Sequence, residues 1–383
     1  MMGIFISDTA RNNLASWTIN GLDGGYAAGA YLSPFTSPVA SNRFKKSAAD
    51  IAEQIRNAGG EFWFDPMSYV LGMPHAGDFR HYDTWNLWSG TRGDVSSQES
   101  RRDHIDRVYK VQESLGSPKL APSVLVSYPD NQLSQQALEL SQEAMESDQS
   151  AWLTIAGDQH FWSEGAVLDA HVGALDQLEP AGWLLVVGRS DSSMPPAATA
   201  NEIFGLMRTT YALSQDRPVR VAFGDLAALP AVAAGAEGIC TGWDLRQRIC
   251  AYKDFEERGG DQSGGGWYNR PTLRGLMGGL TKREYETLLS ENADLAARLT
   301  PGAISPKIEP AFKHHAETLG AVISELLELC GRTRVEALRD RYILAYPEWD
   351  KVERITNTSL GPERWIKPFL EGLNKFRSSE GWC

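Results

Sequence analysis

Cysteine is scarce in this chain: four occur in 383 residues (Cys240, Cys250, Cys330 and Cys383), scattered and without a C-x-x-C pair. That spacing implies neither a disulfide framework nor a zinc knuckle. Cys240 and Cys330 lie in apolar runs, where a cysteine packs as a small hydrophobe. No apolar stretch approaches the roughly 20 residues that a membrane-spanning helix needs, so a membrane protein is not expected. The opening MMGIFISDTARNN has no basic leader and no long apolar stretch before a small-residue cleavage site, which points to a cytoplasmic protein. Basic residues are outnumbered, 37 Lys and Arg against 49 Asp and Glu, for a formal net charge of −12. A surplus of that sign gives nucleic acid no broad electrostatic grip, leaving a local basic groove as the one form such binding could take. The balance favours a small-molecule partner. Repeats and low-complexity tracts are absent as well.

What is present is rhythm. From residue 29 onward, apolar runs of five to eight residues end in a polar or Gly/Pro turn, an amphipathic helix follows, and another run begins. Strands are expected at 29–33, 61–64, 121–128, 151–156, 182–187, 219–223 and 238–241. Between them SAADIAEQIRNAGG, RRDHIDRVYKVQESLG, SQQALELSQEAMES, AVLDAHVGALDQLEP and TANEIFGLMRTTYALSQ read as helices. Alternation of this kind predicts parallel strands with right-handed crossovers. The expected fold is α/β, a TIM-type (β/α)8 barrel over residues 1–265 followed by a helical domain over 266–383, with a Gly-rich hinge at 254–266. The eighth strand falls either at 3–7 or in something irregular after Ile249. Residues 66–100 exceed a simple βα connection and form the expected lid. After Trp267 the patterns are helical throughout, and His314 and His315 have no carboxylate or cysteine at ligand spacing, so no metal site is expected.

Parallel barrels place their chemistry at the carboxyl ends of strands. This chain sets a carboxylate near almost every one: Asp65 after EFWF, Asp130 after VSYP, Asp158 after LTIAG, Asp191 after VVGRS, Asp225 after VAFG and Asp244 after CTGW. Aspartate also caps helices and turns, and that is the preferred account of Asp130 and Asp191. Asp65, ahead of Pro66 and held extended by it, is the first catalytic candidate, with Asp244 and Asp158 beside it. Asp158, Gln159 and His160 group an acid, an amide and an imidazole able to bind a planar polar ligand, although His160 serves equally well as a structural histidine. Arg189 and Arg246 would neutralise the cluster or clamp an anion. Trp243, with other tryptophans near the mouth, offers a flat face for a sugar or nucleobase, and His81 sits in the expected lid. Core packing explains most tryptophans.

Two chemistries compete at those strand ends. Gly224-Asp225 and Thr241-Gly242 on successive strands suit a phosphate or FMN loop, which aims backbone N–H groups at the anion; Asp225 puts a negative charge at that place. The other is carboxylate chemistry at an anomeric carbon, with one aspartate as nucleophile or charge stabiliser and a second moving the proton, and no cofactor. A non-catalytic binding module is the third alternative. The stretch VRVAFGDLAALPAVAAGAEGICTGWDLR resembles the penultimate crossover of the tRNA-guanine transglycosylase superfamily, barrel enzymes that exchange a base at a glycosidic bond. The resemblance runs from Phe62 to Arg246. It implies that Asp65 matches that family's base-contacting aspartate at the second strand and Gln159 its glutamine at the fourth. Pro66-Met67-Ser68 replaces the family's Ser-Gly-Gly, Cys240 stands in the register of the nucleophilic aspartate with Asp244 four residues on, and the zinc motif is absent. The expected activity is glycosyl transfer or glycosidic hydrolysis on a nucleoside-like or sugar substrate, with Asp65 as general acid/base or base-reading group.

Overall fold

The structure is a computed structural model that describes residues 2–8, 14–257, 270–300, 302 and 304–382. In chain order its strands are β1 (Gly3–Asp8), β2 (Gly29–Leu32), the hairpin pair β3 (Ala40–Ser41) and β4 (Lys46–Ser47), β5 (Glu61–Phe64), β6 (Leu153–Asp158), β7 (Trp183–Arg189), β8 (Val219–Ala222), β9 (Gly238–Thr241) and β10 (Cys250–Ala251). A second hairpin pairs β11 (Thr272–Leu273) with β12 (Gly278–Gly279). The helices are α1 (Leu14–Asp23), α2 (Ala48–Asn57), α3 (Gln98–Leu115), α4 (Gln132–Ser147), α5 (Ala166–Asp176), α6 (Ala200–Leu213), α7 (Leu229–Ala234), α8 (Lys282–Glu291), α9 (Ala293–Leu299), α10 (Ile308–Leu327), α11 (Gly331–Thr356) and α12 (Ile366–Ser379). The main sheet runs β10-β7-β8-β9-β1-β2-β5, with β6 also on β7, and all its pairings are parallel. The fold is α/β with a parallel sheet and a helical C-terminal region.

Both candidates for the missing strand belong to the sheet. Residues 3–8 lie between β9 and β2, and Cys250–Ala251 pairs with the last residues of β7. Counting β1, Asp65 follows the third strand of the chain's main sheet, not the second.

The expected strand at 121–128 is a correction. That stretch makes only isolated bridges to the β6 side, Leu120 to Trp152 and Val126 to Gly157. Pro122 interrupts it and Pro118 and Pro129 flank it, and proline supplies no N–H to a ladder. Side chains take over on the β5 side. Gln112 of α3 donates to the carbonyls of Phe64 (3.1 Å) and Leu120 (2.9 Å) and accepts from Leu120 N–H (3.1 Å), while Ser117 Oγ accepts from Phe64 N–H (2.9 Å).

Facing residues follow from the register, because partners in a parallel ladder share a face. Ser7, Tyr31 and Trp63 stand in one row; Ala156, Val186 and Ala222 stand in another. Four helices begin with a reciprocal capping box: Ser47 with Asp50, Ser97 with Ser100, Thr199 with Glu202 and Thr281 with Glu284.

The region after Trp267 is not helical throughout as expected, since β11 and β12 precede α8. Met277 adopts a left-handed φ of 50°, and a Cβ on Gly278 would lie 2.6 Å from the Trp349 ring, so the chain must turn there with a glycine. Of the expected hinge at 254–266, residues 258–266 lie outside the described residues, as does the boundary at 265. One cluster of buried hydrophobic residues runs from Ile4 to Phe376. Residues 66–100 form a packed cover. Tyr69, Val70, Tyr82, Trp85 and Leu87 are buried, and Trp88 stacks on His104 at 3.5 Å. His104, pushed down to about 4 by burial, is neutral; its Nδ1–H donates to Leu87 O (2.8 Å) and its Nε2 accepts from Ser68 Oγ (2.7 Å).

Candidate active site

The strand ends open into a cleft with an inner and an outer part. The inner chamber is narrow, about 20 Å³, and is lined by Ser7, Tyr31, Ser33, Asp65, Met67, Phe223, Cys240 and Gln247 among others. Asp65 reaches it because its N–H continues the β2–β5 pairing, donating to Leu32 O (3.1 Å), before Pro66 ends the ladder. Met67 then turns back with a φ of 50°, an uncommon conformation for a long side chain. That turn presents its N–H to Asp65 Oδ1 at 2.9 Å, and Tyr69 Oη donates to Oδ2 at 2.8 Å. Asp65 is only 3% exposed. Burial outweighs both hydrogen bonds and raises its carboxyl from 3.8 to about 6. A carboxyl tuned to that range can give and take a proton near neutral pH. Cys240 lines the same chamber, and burial raises its thiol far above the ordinary value, so it is an un-ionised sulfhydryl.

The outer part is wider, about 100 Å³, and polar. Thr36 and Gln247 line both parts, and around the outer one stand Phe35, Asp78, Arg80, His81, Trp243, Asp244, Arg246, Asp254 and Phe255. Arg246 forks onto Asp244, with Nη2 at 2.7 Å from Oδ2 and Nε at 3.2 Å from each oxygen. Arg80 grips Asp78 at 2.9 Å and holds its carboxyl below the usual range. Trp243 is braced edge-on by Trp17, ring centroids 6.5 Å apart. Asp65, Asp244, Arg246, Trp243 and His81 are therefore brought to one cleft, as the strand-end argument expects.

The other expected residues are drawn into the scaffold. Asp158 Oδ1 accepts from the N–H groups of His160 (2.9 Å) and Phe161 (3.1 Å), and Oδ2 accepts from Ser127 Oγ (2.6 Å): a turn cap outside the two lined volumes. Gln159 Nε2 donates to Ala197 O and to Glu202 Oε2, and buried Arg189 pairs with the same Glu202 at 2.5 Å, so both tie α6 to the sheet. His160 lies exposed on the rim, stacked on Tyr128. Gly224 N–H donates to Cys240 O at 3.0 Å, and a Cβ there would meet Ala228 Cβ at 2.4 Å; that glycine serves packing. Gly242 presses on Gln247, where a Cβ would lie 2.3 Å from the Gln247 Cβ, and its carbonyl accepts from Arg248 Nε at 2.6 Å.

Asp225 is 1% exposed and faces His315 instead of the cleft. His315 Nε2 approaches its Oδ2 at 3.0 Å, Thr241 Oγ1 donates to the same oxygen, and Arg248 Nε stands 3.9 Å away. Burial opposes the charge, but His315, Arg248 and Thr241 together hold the Asp225 carboxyl well below the usual range. Burial and Arg248 push His315 down, so the imidazole is neutral; its Nε2–H points to Asp225 and its Nδ1 accepts from Thr272 Oγ1 at 2.7 Å. Sequence reasoning set His315 aside, since its partner lies 90 residues earlier. It also passed over Tyr31, whose place in the chamber shows only once the strand register is known.

Comparison with known proteins adds little. No family model matches the chain, and no curated protein matches it. Among solved structures, a probable tagatose 6 phosphate kinase from Sinorhizobium meliloti 1021 is 10% identical, covers 99% of this chain and 98% of its own, and superposes with a TM-score of 0.32. A likeness that faint carries no argument about fold or function.

Proposed function

We propose that this protein is an enzyme acting on a glycosidic bond of a nucleoside-like or sugar substrate, with Asp65 as its general acid/base. The observation that carries the reading is the Asp65 carboxyl, buried at the base of an open cleft and raised to about 6. Breaking a glycosidic bond requires a proton on the departing group while positive charge builds on the sugar ring. Protonated Asp65 supplies the first. The carboxylate of Asp244, held at the mouth by Arg246, supports the second electrostatically. Trp243, Phe35 and Phe255 give the outer cleft faces on which a ring can stack.

The scaffold in this reading is a closed (β/α)8 ring with residues 120–126 as its fourth member, Gln112 standing in for the ladder hydrogen bonds that the prolines remove. The FMN or phosphate alternative has less support, because the Gly224 N–H is already engaged by Cys240 O.

The test is turnover of a panel of nucleosides and p-nitrophenyl glycosides across pH 4 to 9. Activity should bend near pH 6, and Asp65→Asn should lower kcat by about 10²- to 10⁴-fold while substrate still binds. Undiminished turnover by a folded Asp65→Asn variant would remove Asp65 from the chemistry. Binding without turnover by the unmodified protein would leave the binding-module alternative standing.

A further inference from the structure

Gln247 stands at the neck of the cleft, lining both the inner chamber and the outer part, and is only 2% exposed. The turn after β9 puts it there. Its backbone N–H donates to Asp244 O at 2.9 Å, and its side-chain Oε1 accepts from Asp244 N–H at 3.3 Å. Gly242 makes the fit possible, since a Cβ on it would lie 2.6 Å from that same Oε1. With the oxygen committed to a backbone N–H, the orientation of the carboxamide is settled and its nitrogen must face elsewhere.

That nitrogen, Nε2, donates to no acceptor among the described residues. Unlike the sealed and unbonded Oη of Tyr31, it keeps accessible surface, on the cleft that the residue lines. The polar groups around it are already engaged: both Asp65 oxygens accept hydrogen bonds, Thr36 Oγ1 donates to Ser33 O at 3.3 Å, and Asp244 is held by Arg246. Two N–H donors on a buried side chain therefore wait for an oxygen or nitrogen that the protein does not supply. The inner chamber, at about 20 Å³, is too narrow for a ring. The outer part, at about 100 Å³ and open on one side, has room for one small ring with the rest of a ligand in solvent. Three carboxylates stand against two guanidiniums in its lining, so it offers an anion no net attraction, while Phe35, Trp243 and Phe255 offer apolar faces. Hydroxyl groups on a ring suit such a wall, because each can give a hydrogen bond to a carboxylate and take one from a guanidinium or an amide.

We infer that Gln247 is a substrate-binding residue whose Nε2 donates a hydrogen bond to an oxygen of a neutral sugar ring seated in the outer cleft. The inference rests on the proposed glycosidic chemistry and assigns the outer cleft to the sugar. Asp65 lines the chamber on the other side of the neck, so the contact turns the bound ring toward the acid. A ring that lacks the oxygen, or carries it where Nε2 cannot reach, leaves the amide stranded and binds more weakly.

Methyl β-D-ribofuranoside and methyl β-D-glucopyranoside are suitable neutral probes, with ribose 5-phosphate as the anionic comparison. Titrations at pH 8, where Asp65 has lost its proton and turnover is suppressed, would compare the unmodified protein with Gln247→Met and Gln247→Glu. Both variants remove the amide donor, and Gln247→Glu keeps an acceptor for Asp244 N–H. At least one methyl glycoside should bind saturably to the unmodified protein, no more weakly than ribose 5-phosphate, and about tenfold more weakly to each variant. In ¹⁵N-labelled protein the side-chain NH₂ pair of Gln247, identified by its loss from both variants, should shift along the same binding curve. Loss of affinity in Gln247→Met alone would assign the residue to bracing Asp244 and overturn the inference. Equal affinity in both variants, tighter binding of the phosphate, or no saturable binding of either glycoside would overturn it as well. The glycosidic reading fails separately: a glycoside that binds at Nε2, with no glycoside or nucleoside turned over at any pH from 4 to 9, would leave the contact standing and remove the chemistry.

Discussion

At the level of single residues, Asp65 sits in a place that makes the folded state pay for its charge. Its carboxyl is raised from 3.8 to about 6, so the folded chain holds the proton more tightly than the unfolded chain does. The contribution of this one carboxyl to stability is then greatest below about pH 4, falls as pH rises from there through about 6, and is lower by about 3 kcal/mol once the group has ionised. Asn keeps the shape and the acceptor for Met67 N–H without the charge. Asp65→Asn should accordingly stabilise the protein by about 1–3 kcal/mol at pH 8 and by almost nothing at pH 4, read from urea denaturation at the two pH values. A gain of the same size at both would show that the carboxyl's ionisation is not what burial penalises. A site that is destabilising when charged and catalytic when tuned is the ordinary compromise of an enzyme.

Among the elements, the junction between β5 and residues 120–126 is where a side chain replaces a ladder. Gln112 satisfies Phe64 O and both polar groups of Leu120 at once, in a buried position. Gln112→Leu keeps the bulk and strands three backbone groups, and should cost about 2–4 kcal/mol by chemical denaturation. A cost under about 0.5 kcal/mol would mean that the junction is held by packing alone. This is also the place where the sequence was least legible. Hydrophobic runs located the strands at 29, 61, 153, 183, 219 and 238 within a residue or two, because the alternation of short apolar runs with capped helices is strong there. The run at 121–128 has the same composition, yet its prolines forbid the ladder, and the substitute donor lies on the preceding helix where no local pattern shows it. Strand-end aspartates behaved similarly. Asp65 and Asp244 reach the cleft, whereas Asp158 closes on the next three residues and Asp225 on a histidine 90 residues away. Which of these outcomes an aspartate meets depends on partners that spacing cannot reveal.

Across the whole molecule, the C-terminal helices are joined to the sheet by polar and apolar contacts together. His315 of α10 meets Asp225 and Thr241, the residues next to Phe223 and Cys240 or one beyond them in the chain, so the anchor lies directly behind the chamber wall. Along α10, a Cβ on Gly320 would lie 3.2 Å from the Tyr26 carbonyl; on α12, one on Gly372 would lie 2.6 Å from Ile203 Cβ of α6. Helices seated that closely cannot leave without exposing the buried cluster that both regions share. Unfolding should therefore be a single event, with tryptophan fluorescence and far-ultraviolet circular dichroism tracing one coincident transition. His315→Ala takes a donor from a buried carboxylate that retains Arg248 and Thr241, and should lower stability by about 2–4 kcal/mol while leaving that transition single. Separate transitions for the two regions, or a His315→Ala protein with undiminished stability, would show that the helical region rests on the sheet without supporting it.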